Sequence, residues 1–184
     1  MSSNQNIPSR EHLLGQPSLS SSEVVDQTDT MLRYNTGKPK LALLPLAFYE
    51  YTRLVLPAKA FEDTAKVLTF GASKYALNQW RAGDSWLAVC DSALRHVFAI
   101  ERGEQNDLES GLPHIAHVLC NIAFLIEFEV RGTKGDDRTV IDNTKFEASS
   151  TLTSLLLAYA EGASLETLVD TCELIAKDFY HDAV

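Results

Sequence analysis

Cysteine is scarce in this chain, with three among 184 residues. Cys90, Cys120 and Cys172 lie far apart in apolar stretches, with no CxxC pair and no Cys/His zinc spacing. That excludes a zinc ribbon and a disulfide framework, and leaves reduced core thiols as the expectation. Positive charge is also short: 16 Lys and Arg stand against 25 Asp and Glu, a formal net charge of -9. A broad nucleic-acid surface needs clustered Lys and Arg, so no nucleic-acid partner is expected, although a small basic nucleotide pocket is compatible with the balance. The most apolar stretch, Val118 to Ile126, is too short to span a bilayer. The N-terminus lacks the apolar core of a signal peptide. A cytoplasmic protein without a membrane partner is therefore expected. No GxxxxGK[ST] or GxGxxG is present, which excludes P-loop and Rossmann nucleotide sites. GxSxG is missing too, no Cys sits in a polar setting, and the His-Asp dipeptide His181-Asp182 falls at the C-terminus. A serine or cysteine nucleophile and an HD-type phosphohydrolase are disfavoured.

What the chain does have is helical periodicity. Residues 1–30, rich in Ser, Gln, Asn and Asp, read as a disordered or loosely attached arm. Met31 to Leu44 is a short lead-in containing Tyr34, Gly37, Lys38, Pro39 and Lys40. Four helical patterns follow. Pro45 to Leu56 begins with a proline suited to a first turn, and Pro57 forces a break. Ala58 to Tyr75 places Phe61, Ala65, Leu68, Ala72 and Tyr75 on one face and Glu62, Lys66, Thr69 and Ser73 opposite. A third helix, capped by Asp84 or Ser85, runs to Arg102 and stops at Gly103. Ser110 is the expected cap of the fourth, with Pro113 in its first turn. Residues 132–147 read as a linker, and 148–184 as a C-terminal helical hairpin appended to the core. The class is all-α: a four-helix bundle core over 31–131 with a C-terminal helical hairpin.

The fourth helix carries the most information. His114, His117 and Asn121 fall at i, i+3 and i+7, on one face of a helix that is otherwise apolar almost all round. A buried polar stripe must be paired, because unpaired buried polar groups are costly. Asp107 and Glu109, in the loop just before, offer carboxylates. Imidazole with carboxylate suits Mn or a similar ion, whereas Mg prefers oxygen, so the histidines could touch phosphate instead. On the third helix, Asp91 and Arg95 sit at i, i+4 and His96 points away from that pair. Glu101, Glu104 and Asp107 spell ExxE overlapped with ExxD, interrupted by Gly103. Lys38, Lys74, Tyr75 and Trp80 form a second group: lysine is a point charge for phosphate, and the aromatics can stack on a base.

Four blocks resemble a known family. They are Arg33-Tyr34-Asn35-Thr36-Gly37-Lys38-Pro39; Val67 to Tyr75 with Asn78-Gln79-Trp80; Ala93-Leu94-Arg95-His96; and Glu109-Ser110-Gly111-Leu112-Pro113-His114-Ile115-Ala116-His117. In order and spacing they resemble the phage dATP/dGTP diphosphohydrolase (MazZ-type) family, within the MazG-like all-α NTP pyrophosphohydrolases. The wider superfamily carries an EExxE helix and an ExxD helix. The position resembling ExxD reads His114-Ile115-Ala116-His117 here.

The resemblance implies a MazG-like bundle that hydrolyses dGTP or dATP to the monophosphate and pyrophosphate. It also implies a divalent metal, Mg or Mn, and a homodimer or homotetramer. In phages with 2-aminoadenine DNA, such an enzyme adjusts the dNTP pool. On this reading His96, Asp107, Glu109, His114 and His117 form the metal and phosphate shell, with Glu109, His117 and Arg95 catalytic. Lys38 and Lys74 hold phosphates, while Tyr75, Trp80 and Asn121 meet base or sugar. The rival reading is a non-enzymatic helical interaction module that keeps the bundle and uses the hairpin for a partner.

Overall fold

Glu127 shows how the bundle is tied together. It lies on a helix running from His114 to Arg131, yet is only 2% exposed. Its carboxylate accepts the backbone N–H of Ala47 at 3.3 Å and pairs with Arg131 one turn on. Ala47 belongs to the first turn of a short helix whose N-cap, Pro45, has no side-chain oxygen to offer. A buried carboxylate from another helix supplies the missing cap, where the positive end of the helix dipole favours it.

The structure is a computed structural model that describes residues 37–83, 85–138 and 151–181. The expected N-terminal arm and most of the expected linker, from residue 139 on, lie outside them. Among the described residues the elements are all helical: α1 Leu46–Thr52, α2 Ala58–Lys74, α3 Trp86–Glu101, α4 His114–Arg131, α5 Leu152–Ala160 and α6 Leu165–Phe179. Short 3₁₀ turns occupy Leu41–Leu43 and Gln79–Ala82. The all-α class is as the periodicity implies. None of these helices is long and apolar enough to cross a membrane.

α4 is the axis. Val118, Leu119, Ile122, Ala123, Leu125 and Ile126 are fully buried, and α1, α2, α3 and α6 pack around it. Burying each Leu or Ile contributes about 1.5–3 kcal/mol relative to exposure. The helix ends at Gly132 in the left-handed region (φ 59, ψ 41), where Thr133 N–H reaches back to Phe128 C=O at 2.9 Å. All three cysteines are free and buried. Burial pushes the Cys90 thiol up to about 11 and Cys120 to about 12, so both stay protonated and behave as core side chains.

Several expectations need adjustment. α1 ends at Thr52 rather than Leu56, with Val55 and Leu56 N–H groups turning back to Thr52. Ser85 does cap α3, accepting from Ala88 N–H at 2.9 Å. Ser110, however, does not cap α4, which starts at His114 behind Pro113. α2 buries Asp63 and Thr64 beside the expected apolar face, while Tyr75 is exposed. Asp63 is held by Lys59 and Lys66, and accepts from Tyr180 OH at 3.3 Å. Nor is the hairpin appended from outside. Leu156, Tyr159, Leu168 and Ile175 are fully buried in the same core cluster as α3 and α4. The wide apolar arcs of α3 and α4 are covered largely within one chain.

The segment after α4 folds back over the start of α3. Asp137 Oδ1 accepts Leu87 N–H at 2.9 Å, and Gly135 C=O accepts Trp86 N–H at 3.2 Å. The Arg138 guanidinium lies over the Trp86 and Tyr159 rings, 4.5 and 4.3 Å from their centroids. The same segment presses on Gly83, at φ 76 and ψ 159, a region that is essentially glycine's alone. A Cβ there would meet Thr133 Cγ2 at 2.5 Å and Lys134 O at 2.9 Å. Gly83→Ala is therefore expected to destabilise the fold by about 1–3 kcal/mol, read as a lowered Tm by circular dichroism. Equal melting of variant and parent would contradict this packing.

Candidate functional site

The loop between α3 and α4 is built to present side chains to the fourth helix. Gly103, at φ 85, ends the α3 turn, and Glu104 N–H returns to Ala99 C=O at 3.0 Å. Asp107 then closes a tight turn: its N–H donates to Leu112 C=O at 2.9 Å and its C=O accepts from Gly111 N–H at 2.8 Å. Gly111, at φ 68, supplies the left-handed residue that the turn requires. Inside it, Asp107 Oδ2 accepts both the backbone N–H and the hydroxyl of Ser110, each at 2.8 Å. Burial alone would raise the Asp107 pKa; the two Ser110 hydrogen bonds, with help from His117 and His96, outweigh it and the net shift is downward. Asp107 is thus an acceptor-only carboxylate at neutral pH.

That assignment sets a tautomer. Ser110 Oγ donates to Asp107, so it must accept from His117 Nε2 at 2.8 Å, while also accepting Leu112 N–H at 3.1 Å. His117 is then the Nε2–H form, with Nδ1 carrying its lone pair. Its ring stacks on His96 from α3, centroids 4.4 Å apart and planes 17° apart. His96 Nδ1 in turn lies 2.8 Å from His114 Nδ1. His114 is 6% exposed, and its Nε2 is buried without a hydrogen-bond partner, 3.8 Å from Glu104 Oε2. Burial, then the neighbouring His117 and His114, hold His96 down to about 4, against a weaker opposing pull from Asp107. Burial also lowers His117. His96 and His117 are thus held toward the neutral form beside one ionised carboxylate.

These groups open onto a cavity of about 700 Å³, within the range of roughly 300–1,000 Å³ usual for small-molecule sites. His96, Asp107, Glu109, His117 and Lys74 stand at its polar end. Trp80, Phe124 and Phe128 make an aromatic wall, with Trp80 stacked on Phe124 at 4.6 Å. Tyr75, 65% exposed, and Asn121 also line it. Eight of the expected site residues are therefore brought together. Three are not: Arg95 and Lys38 are exposed and do not line the cavity, and His114 lies buried behind His96. Glu109 is drawn into an exposed ion pair with Lys74. Asn121 spends its Nδ2–H on His117 C=O of its own helix, at 2.8 Å.

Among the described residues, His96, Asp107 and His114 can each bring one ligand atom within 4.8 Å of the others. Two nitrogens and a carboxylate oxygen suit Mn, Zn or a similar ion better than a calcium-like oxygen cage. No hydrogen bond of the described residues reaches Asp107 Oδ1, and His114 Nε2 is an orphan. The donor set fits a divalent cation. Ser110, which joins Asp107 to His117, was missed in the sequence. An Asp three residues before a Ser, next to a glycine, is the signature of such a side-chain-closed turn and could have revealed it.

The fold and site together define a class: an all-α bundle with a histidine–carboxylate cluster at one end of an aromatic-walled cavity. The chain belongs to the family described as dATP/dGTP diphosphohydrolase, N-terminal, whose model matches residues 28–138. It is 28% identical over 109 residues to a dATP/dGTP diphosphohydrolase of Salmonella phage PMBT28. That match takes in 59% of this chain and 33% of the relative, so the chain spans about a third of the relative's length. No solved structure matches significantly.

The depressed histidines give a pH dependence of defined sign. His96 and His117 bind protons more weakly folded than unfolded, where imidazole titrates near ~6.5. The unfolded state therefore holds more protons as pH falls from that value toward the folded value of about 4 for His96, and stability falls with it. Tm of chelator-treated protein should drop between pH 7 and pH 4.5, and His96→Gln should flatten that drop. An unchanged slope in the variant would show that His96 is not held neutral by its surroundings.

Proposed function

We propose that this chain hydrolyses dGTP and dATP to the deoxynucleoside monophosphate and pyrophosphate, with a divalent metal, Mg or Mn. Family membership supports the activity, and the relative's printed name carries both nucleotides. The observation that carries the metal is the charge at the polar end of the cavity. Its lining there holds two carboxylates, Asp107 and Glu109, against one ammonium, Lys74. Its two lining histidines are both shifted toward the neutral form. A triphosphate cannot settle against that surplus of negative charge in a half-enclosed site unless a cation comes with it.

His96, Asp107 and His114 would hold the ion. When bound, it would neutralise phosphate charge and acidify a coordinated water. The remaining work falls to the chain's own groups. Lys74 can leave Glu109 for a phosphate oxygen, since an exposed pair of this kind is screened by water and holds weakly. His117 lines the cavity and spends Nε2 on Ser110, so its Nδ1 lone pair is left to accept a proton from water, with Asp107 and Ser110 fixing its tautomer. Glu109, released by Lys74, is the second carboxylate within reach. The aromatic wall excludes water and takes the base. Arg95 and Lys38, outside the cavity, have no role in this scheme. A pure scaffold would have no use for a buried imidazole nitrogen, His114 Nε2, without a partner among the described residues.

Assembly as a homodimer or homotetramer in a host cytoplasm, and a place in making 2-aminoadenine DNA, belong to the same reading. The first rests on the resemblance alone, and the last has the relative's phage origin behind it.

The test is product analysis. Incubated with dGTP or dATP and Mn or Mg, the protein should release pyrophosphate and monophosphate in one step, and chelation should stop it. Single phosphates released through a diphosphate intermediate would overturn the reaction type. His117→Ala should lose at least 100-fold in kcat while its melting curve stays close to the parent's. Near-parent turnover at saturating Mn would remove His117 from the chemistry.

A further inference from the structure

Asn78 stands apart from every other polar residue of the cavity. It is the one non-glycine among the described residues with positive φ (φ 60, ψ 19), and it precedes the 3₁₀ turn Gln79–Ala82 that carries Trp80. Asparagine is among the few side chains that tolerate this region. In an N-cap position its oxygen ordinarily accepts a backbone N–H of the turn that follows. Here no such bond forms. Asn78 Oδ1 is instead buried with no hydrogen-bond partner, and the residue lines the cavity. An orphaned buried acceptor costs on the order of 1–3 kcal/mol. Backbone conformation alone does not account for it, since glycine would serve the turn without the orphan.

Its neighbouring amides are each committed in part. Gln79 Oε1 accepts Ala76 N–H at 3.2 Å, and Asn121 Nδ2 donates to His117 C=O at 2.8 Å. Asn78 thus brings an unspent acceptor to the turn that carries the aromatic wall, among residues that line one cavity.

We propose that the Asn78 side-chain amide reads the Watson–Crick edge of the purine base held against the Trp80 wall. This deepens the purine deoxynucleotide reading above and rests on it. For guanine, Oδ1 accepts from N1–H and Nδ2 donates to O6. For adenine, Oδ1 accepts from the N6 amino group and Nδ2 donates to N1. One amide, carrying both a donor and an acceptor, serves both purines by turning over, roughly half a turn about its last side-chain bond, so that oxygen and nitrogen exchange places. That makes it a device for accepting two bases rather than choosing one.

A carboxylate at the same position would choose. It offers acceptors alone, so it matches the two adjacent donors of guanine, N1–H and N2–H. Adenine would present it with one donor beside the N1 lone pair. Aspartate also tolerates the left-handed backbone. The experiment compares kcat/KM for dGTP and dATP in the parent protein, Asn78→Asp and Asn78→Gly, and tests the parent protein on 1-methyl-dGTP. Asn78→Asp is expected to raise the dGTP/dATP ratio at least tenfold. Asn78→Gly, which keeps the backbone conformation and deletes the amide, is expected to lower kcat/KM for both by tenfold or more. The parent protein should turn over 1-methyl-dGTP at least tenfold less efficiently than dGTP. An unchanged ratio in an active Asn78→Asp protein overturns the proposal. Should that variant not fold, hydrolysis of 1-methyl-dGTP by the parent protein as efficient as that of dGTP overturns it independently. A parent protein that hydrolyses neither dGTP nor dATP removes the purine reading itself, and this assignment with it.

Discussion

A polar stripe on a helix buried from every side is the constraint from which the rest follows. α4 is wrapped by α1, α2, α3 and α6, so water is shut out from His114 and Glu127 and reaches His117 and Asn121 only from the cavity, and each is drawn to a partner in the protein. Glu127 finds the start of α1. Asn121 finds a carbonyl on its own helix. His117 finds Ser110, and through it Asp107, which is why the loop before α4 is folded so tightly. His114 shares one nitrogen with His96 and leaves the other without a partner. That unpartnered nitrogen is what the proposed cation would meet.

The electrostatics and the shape of the cavity answer to one another. Burial holds His96 and His117 toward the neutral form and therefore available as lone-pair donors, whereas charged histidines would repel a cation. The polar end is net acidic in its fixed charges and suits a cation before it suits a phosphate. The opposite wall, with Trp80 on Phe124 and Phe128 beyond it, suits a flat ring. Base stacking on an aromatic of this kind contributes about 1–3 kcal/mol and is nearly blind to base identity. Selectivity must therefore come from an edge-reading group.

How much of this was legible follows from the range of each interaction. The stripe at i, i+3 and i+7 is a local pattern, and it pointed to His114, His117 and the preceding carboxylates directly. The amphipathic α2 and the Ser85 cap are local as well. Ser110 looked like a helix cap because Ser before a helix commonly is one; its true partners, Asp107 and His117, are set by the closure of a loop. Arg95 lies one residue from His96 but is exposed, and the spacing around it could not say which of the two faced the cavity. Asp63 carries no periodic signal of its own, yet Tyr180, 117 positions away, meets it in the core. The hairpin read as an appendage because only its own periodicity was visible, while the surface it covers belongs to α3 and α4. Asn78 stood in one of the resembling blocks beside Gln79 and Trp80, but its backbone angle and its unpartnered acceptor are not visible in the sequence.

The central claim is that His96, Asp107 and His114 form a metal centre at the polar end of the cavity. Anomalous diffraction at the manganese edge, from crystals grown with Mn and a non-hydrolysable dGTP analogue, tests it most directly. The account predicts an anomalous peak within coordinating distance of His96 and Asp107, with the analogue's phosphates beside it. A manganese peak elsewhere, with the analogue in the cavity and only protein hydrogen bonds around these three side chains, would contradict it.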